Sequence, residues 1–180
     1  MNSRSILEVE DNIMSLPNTY TNKNETGCCA VPNISDWDEK EITFKDQKFI
    51  RMYTRSIFYV PINMSKVMSH IQKQAEDAYA TMQPQEVMIL SRDISPWKSE
   101  QLYAVTKDVK GADNVSLSGT FLTKVFEGPY QNAGKWYESL TKYTKSKKKT
   151  IKKIYLFYTT CPKCAKHYGK NYTIGMAEVA

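Results

Sequence analysis

The run FLTKVFEGPYQNAGKWYESL, residues 121–140, decides the architecture. A β-rich stretch stops at Gly128-Pro129, and amphipathic-helix spacing starts directly after it, with Ala133, Trp136, Tyr137, Leu140 and Tyr143 on one stripe. A strand feeds straight into a helix. The same grammar stands earlier: FYVP, 58–61, parallels FEGP, 126–129, and the residues after it place Val67, Met68, Ile71, Ala75, Ala78, Tyr79 and Met82 at helical spacing. The chain reads as two copies of one unit.

Working outward, residues 48–60 alternate between two faces, the period of a strand. Pro61 stops that strand, and a helix over 63–82, with Asn63 or Ser65 as cap, precedes strands at 86–91 and 101–109. The second half reads strand 115–126, helix 131–145, strand 151–160 and strand 172–179. The expected fold is therefore α+β: two pseudo-symmetric β-α-β-β repeats, 48–110 and 115–179, form one antiparallel sheet with two helices on one face and a concave ligand cleft on the other. Residues 1–47 read as an N-terminal arm, loose over about the first 26 residues and docking through Cys28, Cys29 and Trp37.

If Phe58 and Phe126 face the helices, then Tyr53, Arg55, Ile57 and Tyr59, with Phe121, Thr123, Val125 and Glu127, point to the other side. Ile154, Leu156 and Tyr158 alternate with Tyr155 and Phe157, so that strand is apolar or aromatic on both faces, more than a sheet washed by water requires. An aromatic wall of Tyr53, Arg55, Tyr59, Phe121 and Phe157 suits a hydrophobic, flat small molecule. Trp97 and Glu100, on a polar loop over 91–100, add a stacking ring and a hydrogen-bonding edge. The alternative for the same surface is that it meets the N-terminal arm.

The net charge of +6 comes from a cluster at Lys142, Lys145, Lys147, Lys148, Lys149, Lys152 and Lys153. A bunched run of this kind is a solvated loop leading into a strand, and no nucleic-acid motif accompanies it, so no nucleic-acid partner is expected. No apolar run reaches a membrane span and the first residues lack the apolar stretch of a secretion signal; a cytoplasmic address without a membrane partner follows as the expectation.

A serine elbow and a phosphate-cradling glycine loop are both missing from the sequence, and His70 and His167 read as surface residues. Water activation would then fall to an acid and to phenols, which makes Glu127, Tyr155, Tyr158 and Glu178 the catalytic candidates. Ordinary strand filling is the competing account of each. Cys161-Pro-Lys-Cys164 has the spacing of half a zinc knuckle, and Cys28 with Cys29 could complete a structural zinc site if the arm folds back. A redox pair and four packing thiols remain open beside it.

The element order, the VFEGPY turn at 125–130 and the helix carrying Trp136-Tyr137 resemble the gyrase-inhibitor-like (GyrI-like) small-molecule-binding domains, over about residues 48–179. Longer phrases, Gly27-Cys28-Cys29, SPWK at 95–98, GTFLTKVFEGPY at 119–130 and CPKCAK at 161–166, are similar to a bacterial subgroup labelled "hydrolase". The resemblance implies a pseudo-twofold β-α-β-β repeat and a sheet face that holds flat, apolar, often cationic molecules. In some members it implies hydrolysis of strained cyclopropane-bearing electrophiles. The sensors of that family carry a glutamate on the strand after the second helix, where this chain has Ile154-Tyr155-Leu156-Phe157-Tyr158. The readings are a stand-alone domain that binds and hydrolyses such a molecule, a non-enzymatic sensor or sequestering protein, and a zinc-stapled interaction module.

Overall fold

The computed structural model describes residues 16–180, and the part of the loose-arm expectation on residues 1–15 lies outside them. The elements run β1 (Glu41–Ile57), β2 (Val60–Pro61), α1 (Met64–Asp77), β3 (Ile89–Ser95), β4 (Lys98–Ala104), β5 (Asn114–Glu127), α2 (Ala133–Ser146), β6 (Ile151–Tyr158), α3 (Pro162–Tyr168) and β7 (Tyr172–Val179). The strands form one antiparallel sheet in the order β2-β1-β4-β3-β6-β7-β5, and β1 also pairs with β5. The sheet thus closes on itself as a six-stranded barrel, with β2 as an added hairpin.

Closure is the work of β1. This 17-residue strand begins at Glu41, ahead of the expected start at 48. Its first part pairs with β5, from Glu41↔Leu122 to Ile50↔Asn114, and its second part pairs with β4, from Phe49↔Ala104 to Arg55↔Lys98. A register shift between Phe44 and Gln47, with Asp46 at φ 52°, bends the strand around the barrel.

Alternation then decides which side chains face inward. Phe44, Phe49, Leu90, Leu102, Phe121 and Phe157 meet in the interior, while α1 packs outside on Ile50, Tyr103 and Val105, and α2 outside on Leu122, Leu156 and Ala177. Among the described residues the sheet leaves no open concave face of the expected kind, because the two edges that would have flanked it are paired and Phe44, Phe49, Phe121, Tyr155 and Phe157 pack in the interior.

Contact between α2 and the sheet is close at Gly175, where a Cβ would lie 2.8 Å from Phe126 Cε2 and 3.1 Å from Leu140 Cδ2. Both neighbours are buried. Gly175→Ala is expected to destabilise the protein by about 1–3 kcal/mol through overpacking, read as a lowered melting temperature.

The barrel has two unlike ends. Residues 16–40 cross one of them: Trp37 is fully buried in the interior cluster, its indole N–H donates to Asn18 O (3.0 Å), and Thr123 donates to Trp37 O. Thr19 donates to Gln85 O and Val87 O, and Tyr20 donates to Thr159 O (2.7 Å) with its ring edge-on to Phe157. Residues 16–26 are therefore held to the barrel rather than loose. The other end, where β1, β3 and β7 finish and β6 begins, carries charged and aromatic residues.

Several local expectations change. α1 stops at Asp77, and Tyr79 follows in the left-handed region (φ 50°). The segment 91–100 is no loop but the β3–β4 hairpin, turning at Pro96-Trp97. Phe126 stacks on Trp136 at 5.8 Å, whereas Phe58 sits in the two-residue turn between β1 and β2 and is exposed, so the two are not equivalent. Phe58 and Tyr59 both have positive φ (46° and 69°), a turn geometry that favours Asn-Gly and costs a bulky residue about 1 kcal/mol or more. Among the described residues, no helix is long and apolar enough to cross a membrane.

Candidate functional site at the split between β3 and β6

Every seam of the barrel is a run of paired residues except one: β3 and β6 share the single register pair Ser91↔Leu156. Beyond that pair the strands diverge toward the charged end. The divergence opens a cavity of about 420 Å³ lined by Tyr59, Arg92, Asp93, Tyr137 and residues 151–154.

On the inner face behind this opening, side chains with the inward parity of Leu90, Leu102, Phe157 and Met176 form a polar ring, of which Arg92 also lines the cavity. Arg92 Nε donates to Glu100 Oε2 (2.9 Å), Arg51 Nη1 lies 3.7 Å from Glu100 Oε1, and Arg51 Nε donates to Asp113 Oδ2 (2.9 Å). Glu100 is buried, with a relative exposure of 5%, so the two guanidiniums supply the compensation that a buried carboxylate needs. Tyr155 and Glu178 share this face on β6 and β7, where Glu178 pairs in register with Lys153 and Tyr155 with Met176. They are diagonal cross-strand neighbours. One oxygen of Glu178, Oε2, is buried without a hydrogen-bond partner.

Burial first, then the Glu100 and Glu178 carboxylates, push the Tyr155 phenol up to about 12, with Arg92 opposing. Burial and then Asp93 push Tyr158 up to about 12, and burial raises Tyr20, Tyr103 and Tyr137 as well. For all five the folded value exceeds the unfolded one near 10, so the unfolded chain releases its protons first and stability falls as pH rises above about 10. Urea midpoints at pH 9, 10 and 11 are expected to drop progressively. Tyr155→Phe should flatten that drop, since the variant has no phenol proton to lose at that position.

The sequence candidates divide into distinct places. Glu100, Tyr155 and Glu178 come together in the polar ring, and Tyr59 lines the cavity beside it. Phe121 and Phe157 are fully buried in the barrel interior and do not line the cavity. Tyr53 lies under Lys98 Nζ at 3.8 Å from its ring centroid, and Arg55 is exposed near the end of β1. Trp97 sits outside the cavity lining, 5.0 Å from Phe58.

Glu127 is at the opposite end of the barrel beside Lys170, and Tyr158 is on the helix side against Trp136 at 6.5 Å; neither joins Tyr155 and Glu178. Arg51, Arg92 and Tyr137 are additions. Arg51 had a signal in its alternation with Tyr53 and Arg55, and Tyr137 lay on the helix stripe.

A second constellation closes the arm end. Cys161 precedes α3, whose first position is Pro162, and Cys164 is buried in its first turn. The CPKC segment is thus a helix start and not the tight hairpin that a strand-to-strand link would give. The loop before it in space, Thr26 to Cys29, follows Thr26 Oγ1, which accepts from the Cys28 and Cys29 N–H groups (both 3.2 Å) and from Cys164 Sγ (3.3 Å).

The Sγ atoms of Cys28, Cys29, Cys161 and Cys164 all lie within 4.8 Å of one another, and those of Cys28 and Cys29 are 3.7 Å apart. Bonds of about 2.3 Å in a tetrahedron place sulfurs about 3.8 Å apart, so this set can hold a metal ion. Burial alone would raise the Cys164 thiol, but hydrogen bonds with Thr26, Cys161 and Cys29 bring it down to about 6. Burial pushes the Cys29 thiol up.

Residues 19–179, from the arm to the last strand, match the family described as bacterial hydrolase. The chain belongs to that bacterial hydrolase family. Solved structures with the same fold include a conserved protein from Listeria innocua, 11% identical with a TM-score of 0.57 over 80% of this chain and 94% of that one. A hydrolase from Listeria innocua is 10% identical with a TM-score of 0.56, over 80% and 92%. Another hydrolase from the same organism is 11% identical with a TM-score of 0.55, over 80% and 93%. No curated protein matches the sequence. At these identities the likeness concerns the barrel and its helices; membership of the hydrolase family rests on the sequence match.

Proposed function

We propose that the protein binds a hydrophobic, flat small molecule at the split between β3 and β6 and hydrolyses it. The observation that carries this reading is the unpartnered, buried Glu178 Oε2 on the same inner face as the Tyr155 phenol, behind the seam that shares only one register pair and whose opening Arg92 lines. A buried polar atom without a partner costs free energy unless something else uses it. Tyr59 and Tyr137 supply aromatic walls, and Glu100 is committed to Arg92 and Arg51, which fixes the guanidiniums on the substrate side.

In the proposed reaction Glu178 takes a proton from water as the water oxygen bonds to the electrophilic carbon of the substrate. The bond to the leaving carbon or heteroatom breaks, and its electron pair takes the proton of Tyr155; Glu178 returns its proton to the phenolate through solvent. A phenol held up to about 12 stays protonated at neutral pH and is available as this donor. Strained three-membered rings and activated aryl esters are the electrophile classes to assay, and product exceeding one equivalent per chain distinguishes an enzyme from a sequestering protein.

Two structural readings accompany this one. The sheet order groups β1-β4-β3 and β5-β7-β6, which supports relating the halves by a pseudo-twofold axis, with the split at their junction. The four cysteines would hold a structural zinc, which supplies a cross-link between arm and barrel and takes no part in the chemistry.

A further inference from the structure

At the charged end of the barrel the β1–β2 and β3–β4 turns join into one exposed tip. The Ser56 N–H donates to Trp97 O (2.8 Å), the Tyr59 N–H donates to Pro96 O (2.9 Å), and the Phe58 and Trp97 rings lie 5.0 Å apart. Phe58 is 72% exposed and Trp97 56%, with Ile57, Tyr59, Val60 and Ile62 about half exposed around them. Neither turn needs these side chains for its geometry: a two-residue turn with both φ values positive is best served by Asn-Gly, yet this one carries Phe58 and Tyr59. A contiguous exposed apolar ledge of this kind marks an interaction site.

The charges beside the ledge identify its partner. Arg55 and Lys98 stand on the strands that carry the tip, and Lys152 and Lys153 line the adjacent cavity with Tyr59. The acid among them is Asp93, which accepts a hydrogen bond from Ser99. We propose that the tip docks on an anionic lipid bilayer, with Phe58 and Trp97 entering the headgroup level and the surrounding cations on lipid phosphates. Aromatic rings favour that level, and basic residues near it are drawn to anionic lipid. Cations of one sign around the ledge favour an anionic surface over pairing with a second copy, which would set the same charges against each other. Because Tyr59 belongs to both the tip and the cavity, docking would set the split beside the membrane, where an apolar molecule is concentrated. Docking itself does not depend on turnover, so either proposal can fail alone.

The test is co-sedimentation of the full chain, at low salt, with vesicles of phosphatidylcholine containing a quarter phosphatidylglycerol and with phosphatidylcholine alone. The expected result is binding to the first with a blue shift of tryptophan emission. That shift reports Trp97, since Trp37 and Trp136 are already buried. Adding salt should release the protein, and the double variant F58S/W97S should bind about tenfold or more weakly with an unchanged melting temperature. Absence of vesicle binding by the wild type, or equal binding by wild type and F58S/W97S, would overturn the proposal. So would a concentration-dependent dimer that F58S/W97S abolishes with no vesicle binding, which would assign the tip to self-association.

Discussion

Glu178→Gln is expected to reduce hydrolysis of a hydrophobic electrophile by about 10²–10⁴-fold in kcat, with KM little changed. The substitution keeps the shape of the side chain and removes the carboxylate that would accept the water proton in the proposed reaction. Its structural cost should be small, because Oε2 has no hydrogen-bond partner to lose. Tyr155→Phe tests the donor: it removes one hydroxyl from a fully buried ring, and the expected loss is of the same order with a basic limb of the pH profile that disappears. Glu127→Gln, at the other end of the barrel beside Lys170, should leave turnover unchanged. A Glu178→Gln protein that retains its rate within about threefold would remove this carboxylate from the mechanism. Single-turnover product in every case would assign the split to binding alone.

The strand-to-helix junction at 121–140 was legible because two periodicities meet there with a Gly-Pro break between them. Closure of the barrel was not. Residues 41–47 hold Lys45-Asp46, which look like a turn in sequence and form a bulge in the structure, and the pairing they make with β5 is long-range. The segment 91–100 read as a loop because both of its faces are polar. Ser91, Asp93, Ser99 and Gln101 occupy the helix side, with hydrogen bonds from Ser91 to Gln101 and from Ser99 to Asp93, while Arg92 and Glu100 pair on the inner side.

A hairpin that carries polar networks on both faces has no apolar alternation, and so Arg92 was missed along with the hairpin. The displaced Phe58 has a related cause. A two-residue turn breaks the parity that a repeat-based alignment with Phe126 assumes.

Loss of a metal bound at the four cysteines, or of one of its proposed ligands, is expected to lower stability markedly. The arm contributes Trp37 to the barrel interior and Tyr20 against Phe157, yet residues 16–40 contain no strand or helix longer than an isolated bridge or turn, so little local structure holds them in place. A cross-link through four sulfurs would fix both ends of the loop at Cys28-Cys29 against α3. Metal at a hundredfold above its dissociation constant adds about 2.7 kcal/mol to the folded state. In a chain of 180 residues each kcal/mol moves the melting temperature by about 2–4 °C, so chelation or Cys164→Ser should lower it by roughly 5–11 °C.

Trp37→Ala should cost about 3–5 kcal/mol by emptying the position that the arm fills, and chelation should add little to a chain already damaged there. Native mass spectrometry is the direct check. One zinc per chain, lost together with the melting shift, supports the cross-link. Four thiols that react at once with a thiol reagent in the folded protein, with no bound metal and no shift in strong chelator, would leave the cysteines as packing groups and return the arm's stability to Trp37 and Tyr20.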